Sequence, residues 1–133
     1  MKTLTDFITE NKIQFSARQV DSNPHMEDGK YPMDHWLCRF RHDGKQLSVY
    51  FSQGMGFNGQ PPSADSVLSC LASDAQGVED GQTFEEWCGD YGCDTDSRRA
   101  LKTYQTVKLQ AHKLRNLLGE YIFKELLYET ETL

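Results

Sequence analysis

Cysteine and histidine are the residues of this chain best suited to nucleophilic or metal chemistry, and their spacing limits what they could do. Cys38, Cys70, Cys88 and Cys93 are even in number, as two disulfides would require. The amino-terminal stretch MKTLTDFITENK, however, is amphipathic and lacks the apolar centre of an export signal, which predicts reduced thiols and a cytoplasmic location. Cys88 and Cys93 have four residues between them, and the sequence contains neither a C-x-x-C nor an H-x-x-x-H pair. A zinc site would need Cys38 and Cys70 to converge on Cys88 and Cys93, and no local feature prepares that, so buried structural thiols are the simpler expectation. Cys88 as a nucleophile would require a histidine brought to it by the fold; His25, His35, His42 and His112 are scattered and sit in no catalytic motif.

The other candidates for chemistry are acids and glycines. Asp90, Asp94 and Asp96 lack the Asp-x-Asp-x-Asp-Gly order and closing glutamate of a calcium loop, and helix capping accounts for Asp94 and Asp96. The stretch QGMGFNGQPP (residues 53–62) has neither the Lys-Ser/Thr of a phosphate loop nor G-x-G-x-x-G spacing, and is expected to be a connector. No catalytic residue, metal or cofactor is therefore assigned, and the expectation is a binding protein, not an enzyme.

The elements that must position these residues are legible from periodicity. Leu4, Phe7, Ile8 and Asn11 fit one face of a first helix capped by Thr3 or Thr5. Ile13, Phe15 and Ala17 alternate as a strand, and an irregular loop is expected from Asp21 to Met33. A second strand from about His35 to Arg41 places Trp36, Cys38 and Phe40 on one face. Asp43-Gly44 then supplies a hairpin turn, and a third strand runs from Gln46 to Ser52. Ser63 caps a helix carrying Val67, Leu68, Leu71 and Ala72 and ending near Gly77. Thr83 and Glu86 form a capping box for a short helix closed by Gly92. Ala100, Tyr104, Val107, Ala111, Leu114 and Leu118 mark the longest helix, from about Ser97 to Gly119. A last helix from Glu120, with Ile122, Phe123, Leu126 and Leu127, is expected to fold back on it. The 133 residues read as one α+β domain: an N-terminal helix, a small three-stranded antiparallel sheet, then four helices including a C-terminal antiparallel pair.

Charge is segregated along the chain. From Gln46 to Ser97 no Lys, Arg or His occurs among 52 residues that hold nine acids, whereas Arg98 to Leu118 holds six basic residues and no acid. Two arrangements compete: the acidic segment packs beside the basic helix and is neutralised, or an acidic face comprising Glu79, Asp80, Glu85, Glu86, Asp90, Asp94 and Asp96 points outward to a basic partner. Arg98, Arg99 and Lys102 are candidate phosphate or nucleotide contacts at a helix start. Against direct nucleic-acid binding stand the net charge of −6 and a pI of about 5.1. Trp87 and Phe84 share a face of the short helix with Tyr91 a turn later, and packing of helix on sheet is expected of them; an exposed Trp87 or Tyr91 would instead be an interface anchor.

The residues FEEWCGDYGCDTDSRRALKTY (84–104), with CLASDAQGVED (70–80), HWLCRF (35–40) and SVYFSQGMG (48–56), carry a resemblance over most of the chain. They resemble a group of small bacteriophage- and prophage-encoded proteins whose pattern is C-L-A-S-D-A, F-E-E-W-C, D-T-D-S-R-[KR]-A and T-Y. This chain departs from it at Tyr91-Gly92-Cys93, where a Gly-Tyr pair is expected, and at Arg99, where Lys is common. The resemblance brings no catalytic motif. It implies a phage anti-defence protein in the host cytoplasm, an anti-CRISPR inhibitor foremost, whose acidic face occupies a basic nucleic-acid path on a host defence complex. A nucleotide-signal sponge, a thiol-dependent modifying enzyme and a phage regulatory or structural accessory protein are the rivals, and homodimerisation stays open. No membrane partner is expected.

Overall fold

Local signals and long-range packing agree on most element boundaries. In the computed structural model, which describes residues 1–21, 33–54 and 59–132, the order is β1 (Lys2–Thr3), α1 (Leu4–Glu10), β2 (Gln14–Val20), β3 (Met33–His42), β4 (Lys45–Gly54), α2 (Ala64–Glu79), α3 (Phe84–Tyr91), α4 (Arg98–Leu118), α5 (Glu120–Tyr128) and β5 (Thr130–Glu131). The fold is α+β, with five helices and the antiparallel sheet β2-β3-β4. Among the described residues no helix is long and apolar enough to cross a membrane.

Three hydroxyl side chains start helices as their positions predict. Thr3, Ser63 and Ser97 accept the backbone N–H of Asp6, Ser66 and Ala100. The Asp43-Gly44 turn has positive φ at both residues (50° and 77°), the conformation that matches the twist of a two-residue hairpin. Gly92 closes α3 in the left-handed region at φ 68°. Of the expected loop from Asp21 to Met33, Met33 belongs to β3 and residues 22–32, with His25, lie outside the described residues. Gln53 and Gly54 likewise extend β4, and residues 55–58 of the glycine-rich stretch are outside the described residues.

α2 continues past Gly77 to Glu79 and is closed by Gly81 in the left-handed region (φ 76°), after which Gln82 folds back onto the helix. Its N–H donates to the Gly77 carbonyl at 3.0 Å, and a Cβ on Gly77 would stand 2.9 Å from Gln82 Oε1. The short pair β1-β5 was not foreseen. It runs parallel, Lys2 opposite Thr130, and is held by Lys2 Nζ, which reaches Glu10 and Glu125 carboxylates at 2.5 Å each. Two-residue strands have no periodicity to read.

The sheet has two unlike faces. Phe15, Phe40 and Leu47 form one row across the three strands, and Ala17, Cys38 and Val49 the next. These rows meet Phe7, Val67, Leu68, Leu114, Phe123 and Leu126 in the main core. The alternate residues of the same strands point away from it. At the hairpin end, His42 and Lys45 reach the last turn of α4: His42 Nδ1 donates to Leu117 O (3.2 Å) and Lys45 Nζ to Asn116 O (3.2 Å). Since a carbonyl only accepts, Nδ1 carries the proton there. The Lys45 ammonium complements the negative end of the helix dipole.

Candidate functional site

α3 is short and would not hold by itself; its capping box and a few aromatic contacts fix it against α4. Thr83 Oγ1 accepts from Glu86 N at 3.2 Å, and Glu86 Oε1 accepts from Thr83 N at 3.1 Å. Trp87, Cys88 and Ala100 then form a second, smaller buried cluster with Phe84, Cys93, Tyr104 and Val107 around it. The Trp87 ring lies 4.8 Å from that of Tyr91 and 5.7 Å from that of Tyr104, centroid to centroid, and Phe84 lies 5.3 Å from Tyr104. Tyr104 Oη ties α4 to the α2–α3 turn by donating to Gln82 O at 2.8 Å.

Between α2, α3 and α4 this arrangement leaves a cleft of about 290 Å³. Trp87, Tyr91 and Tyr104 give it aromatic walls, and Asp74, Asp80 and Asp90 give it carboxylates; among the described residues no basic side chain lines it. Trp87 is buried, while Tyr91 is 59% exposed and packs its ring against it at a 40° tilt. Tyr91 Oη donates to Asp74 Oδ1 at 3.2 Å. Desolvation holds the Asp74 carboxyl above its ordinary range, against a lowering from the Tyr91 hydrogen bond. Desolvation and the neighbouring Asp74 carboxylate likewise raise Tyr91, which keeps it a donor. Asp90 Oδ2 accepts from Gln82 Nε2 at 2.6 Å, and Asp80 Oδ1 from Gln76 Nε2 at 3.0 Å. The desolvated Asp74 and the exposed Asp80 and Asp90, beside aromatic faces, attract a cation through both charge and ring quadrupole.

The fold sorts the seven acids of the expected face into different jobs. Asp80 and Asp90 line the cleft. Glu79 turns instead to α4 and forms an ion pair with Arg115, which also lies 3.2 Å from Glu120 (Nε to Oε2) without the alignment of a hydrogen bond, and stands 4.8 Å from the Phe123 ring. For Glu79 the neutralised arrangement therefore holds. Glu86 is engaged in the capping box, and Asp94 Oδ1 accepts from Asp96 N in the turn before α4. Glu85 and Asp96 are exposed, outside the cleft. Sequence reasoning left Asp74 and Tyr104 out of the site. Asp74 is one acid in a long acidic run, and Tyr104 sits in the apolar stripe of α4; only their convergence marks them.

Arg98, Arg99 and Lys102 are exposed at the start of α4 and line none of the described clefts. Ser97 Oγ already takes the Ala100 N–H that a phosphate at this helix head would use. Cys88 is 1% exposed and its thiol is pushed up by burial, the reverse of nucleophile activation; burial takes Cys38 up to about 11. Among the described residues no group of three or more His, Cys, Asp or Glu side chains could hold a metal ion. No protein-family model, curated protein or solved structure matches the chain.

Proposed function

We propose that this chain is a binding protein whose acidic, aromatic-walled cleft captures a basic side chain on the surface of a partner protein, and that the partner is a host defence complex whose nucleic-acid path is thereby blocked. The observation that carries the binding mode is the meeting of Asp74, Asp80 and Asp90 with Trp87, Tyr91 and Tyr104 around one cleft with no basic side chain among its described lining residues, Lys108 Nζ standing 5.7 Å from the centroid of the Tyr104 ring. The volume of the cleft, at the lower edge of the range for small-molecule pockets, suits one lysine or arginine side chain better than a cofactor. Exposed Glu85 and Asp96 nearby add long-range attraction and a faster encounter. The setting, an anti-defence protein of the anti-CRISPR kind acting stoichiometrically, rests on the phage-type signature of residues 70–80 and 84–104.

The test is affinity capture from host lysate with the wild-type chain and with Asp80→Lys/Asp90→Lys, followed by mass spectrometry of what co-purifies and in what ratio. A near-stoichiometric basic partner captured by the wild type and lost with the charge-reversed chain is the expected result. Capture of the same partner by both chains would remove the cleft from the mechanism, and a partner without nucleic-acid function would remove the anti-defence setting.

A further inference from the structure

The outward face of the sheet holds a second surface, opposite in sign to the cleft and independent of it. Strand register arranges it as a grid: Gln14, Arg41 and Gln46 form one row across β2, β3 and β4, then Ser16, Arg39 and Ser48, then Arg18, Leu37 and Tyr50, then Val20, His35 and Ser52. None of these residues is buried, and Leu37, Val20 and Tyr50 are absent from the main core and its partly buried rim. Among the described residues the grid contains three arginines and no acid. Asp34 has the opposite parity, in register with Gln53, whose side chain is buried. Arg39 Nε donates to Ser48 Oγ at 3.3 Å within its own row, and no described carboxylate pairs with Arg18, Arg39 or Arg41. At the hairpin end, Lys12 joins Arg41, Gln14, Gln46 and Lys45 around a recess of about 400 Å³, with Asp43 on its rim.

We infer that this sheet face is a binding surface for single-stranded nucleic acid. Charge complementarity selects a polyanion, since Lys12, Arg18, Arg39 and Arg41 present four positive charges on one side of a chain whose net charge is −6. Shape selects the single strand over the duplex. An antiparallel sheet face offers unpaired bases a platform to lie on, here Leu37, His35 and Tyr50 (38% exposed), with serine and glutamine side chains in the neighbouring rows as hydrogen-bonding groups. Arg39 and Arg41, two residues apart on β3, stand about 7 Å from one another along the strand and engage successive phosphates.

Fluorescence anisotropy with a labelled oligothymidylate of about 20 nucleotides, titrated over a range of salt concentrations, tests the assignment. Four phosphate contacts predict a log–log salt slope of about −3 for the wild type, and Arg18→Gln/Arg39→Gln/Arg41→Gln is expected to lower that slope by about 2 and to weaken low-salt binding at least tenfold. Circular dichroism checks the fold of the variant. Arg41→Glu, at an exposed position, gives the same direction of change if the triple variant does not fold. Undetectable binding by the wild type at low salt, tighter binding of a duplex of equal length, or binding lost in Arg98→Gln/Arg99→Gln/Lys102→Gln but kept in both sheet variants would each overturn the inference. Since none of these substitutions touches the cleft, the outcome is separate from that of the lysate capture.

Discussion

Replacing Arg115 by Met decides how the acidic segment and the basic helix are tied together. Arg115 projects from the last turns of α4, pairs with Glu79 at the end of α2, lies near Glu120 at the start of α5, and covers the Phe123 ring. Its side chain is 33% exposed and that of Glu79 25%, so the pair is screened but not fully solvated. A partly exposed ion pair contributes up to about 1 kcal/mol, and an arginine over an aromatic face about 0.5–1 kcal/mol. Methionine keeps the apolar contact with Phe123 and removes the charge. The expected loss is about 1–2 kcal/mol, which for a domain of 133 residues lowers Tm by about 4–7 °C. Thermal unfolding by circular dichroism measures it, and a double-mutant cycle with Glu79→Gln isolates the pair. The electrostatic share should shrink when salt is raised from about 0.1 to about 1 M, where the screening length falls from about 10 to about 3 Å. A coupling energy under about 0.3 kcal/mol, with no salt dependence of the Arg115→Met effect, would refute the reasoning. Glu79 would then be as available to a partner as Asp80 and Asp90.

Leu114 has no exposed surface and lies in the main core, so Leu114→Ala should cost about 3–5 kcal/mol in denaturant unfolding. Thr83→Ala removes the hydroxyl half of the capping box, leaving the backbone N–H of residue 83 to Glu86 Oε1, and should cost about 1 kcal/mol, with amide exchange accelerating first within Phe84–Tyr91. Asp74 has a native pKa raised above 3.8, so the native state holds its proton more tightly than the unfolded chain does, and stability falls as pH rises from the unfolded value through the native one. Asp74→Asn, which can still accept from Tyr91, should therefore raise Tm at pH 7, with the gain fading as pH drops below about 4; an equal gain at all pH values would contradict the desolvation account. Tyr104→Phe loses the 2.8 Å bond to Gln82 O and should cost about 1 kcal/mol in urea unfolding, a loss Val107→Ala would not reproduce in the exchange of the α2–α3 turn.

What the sequence by itself determined is what nearest neighbours enforce. Thr83 with Glu86, Ser97, Gly92 and Asp43-Gly44 place helix ends and the hairpin turn because capping and turn geometry involve residues within four positions of one another. Alternation at Trp36, Cys38 and Phe40, and the stripe on α4, name the core because burial follows the period of the element. Local reasoning cannot see β1 pairing with β5 across the chain length. The use of charge is decided only in three dimensions. Nine acids in one segment are equivalent on paper, yet Glu79 is spent on Arg115, Glu86 and Asp94 on local turns, and Asp74, Asp80 and Asp90 meet at the cleft. The first 45 residues balance in charge, yet the pleat sets Arg18, Arg39 and Arg41 on one outward face. A sum over sequence cannot reveal either surface, because electrostatic attraction depends on distance and solvent exposure, and both are properties of the fold.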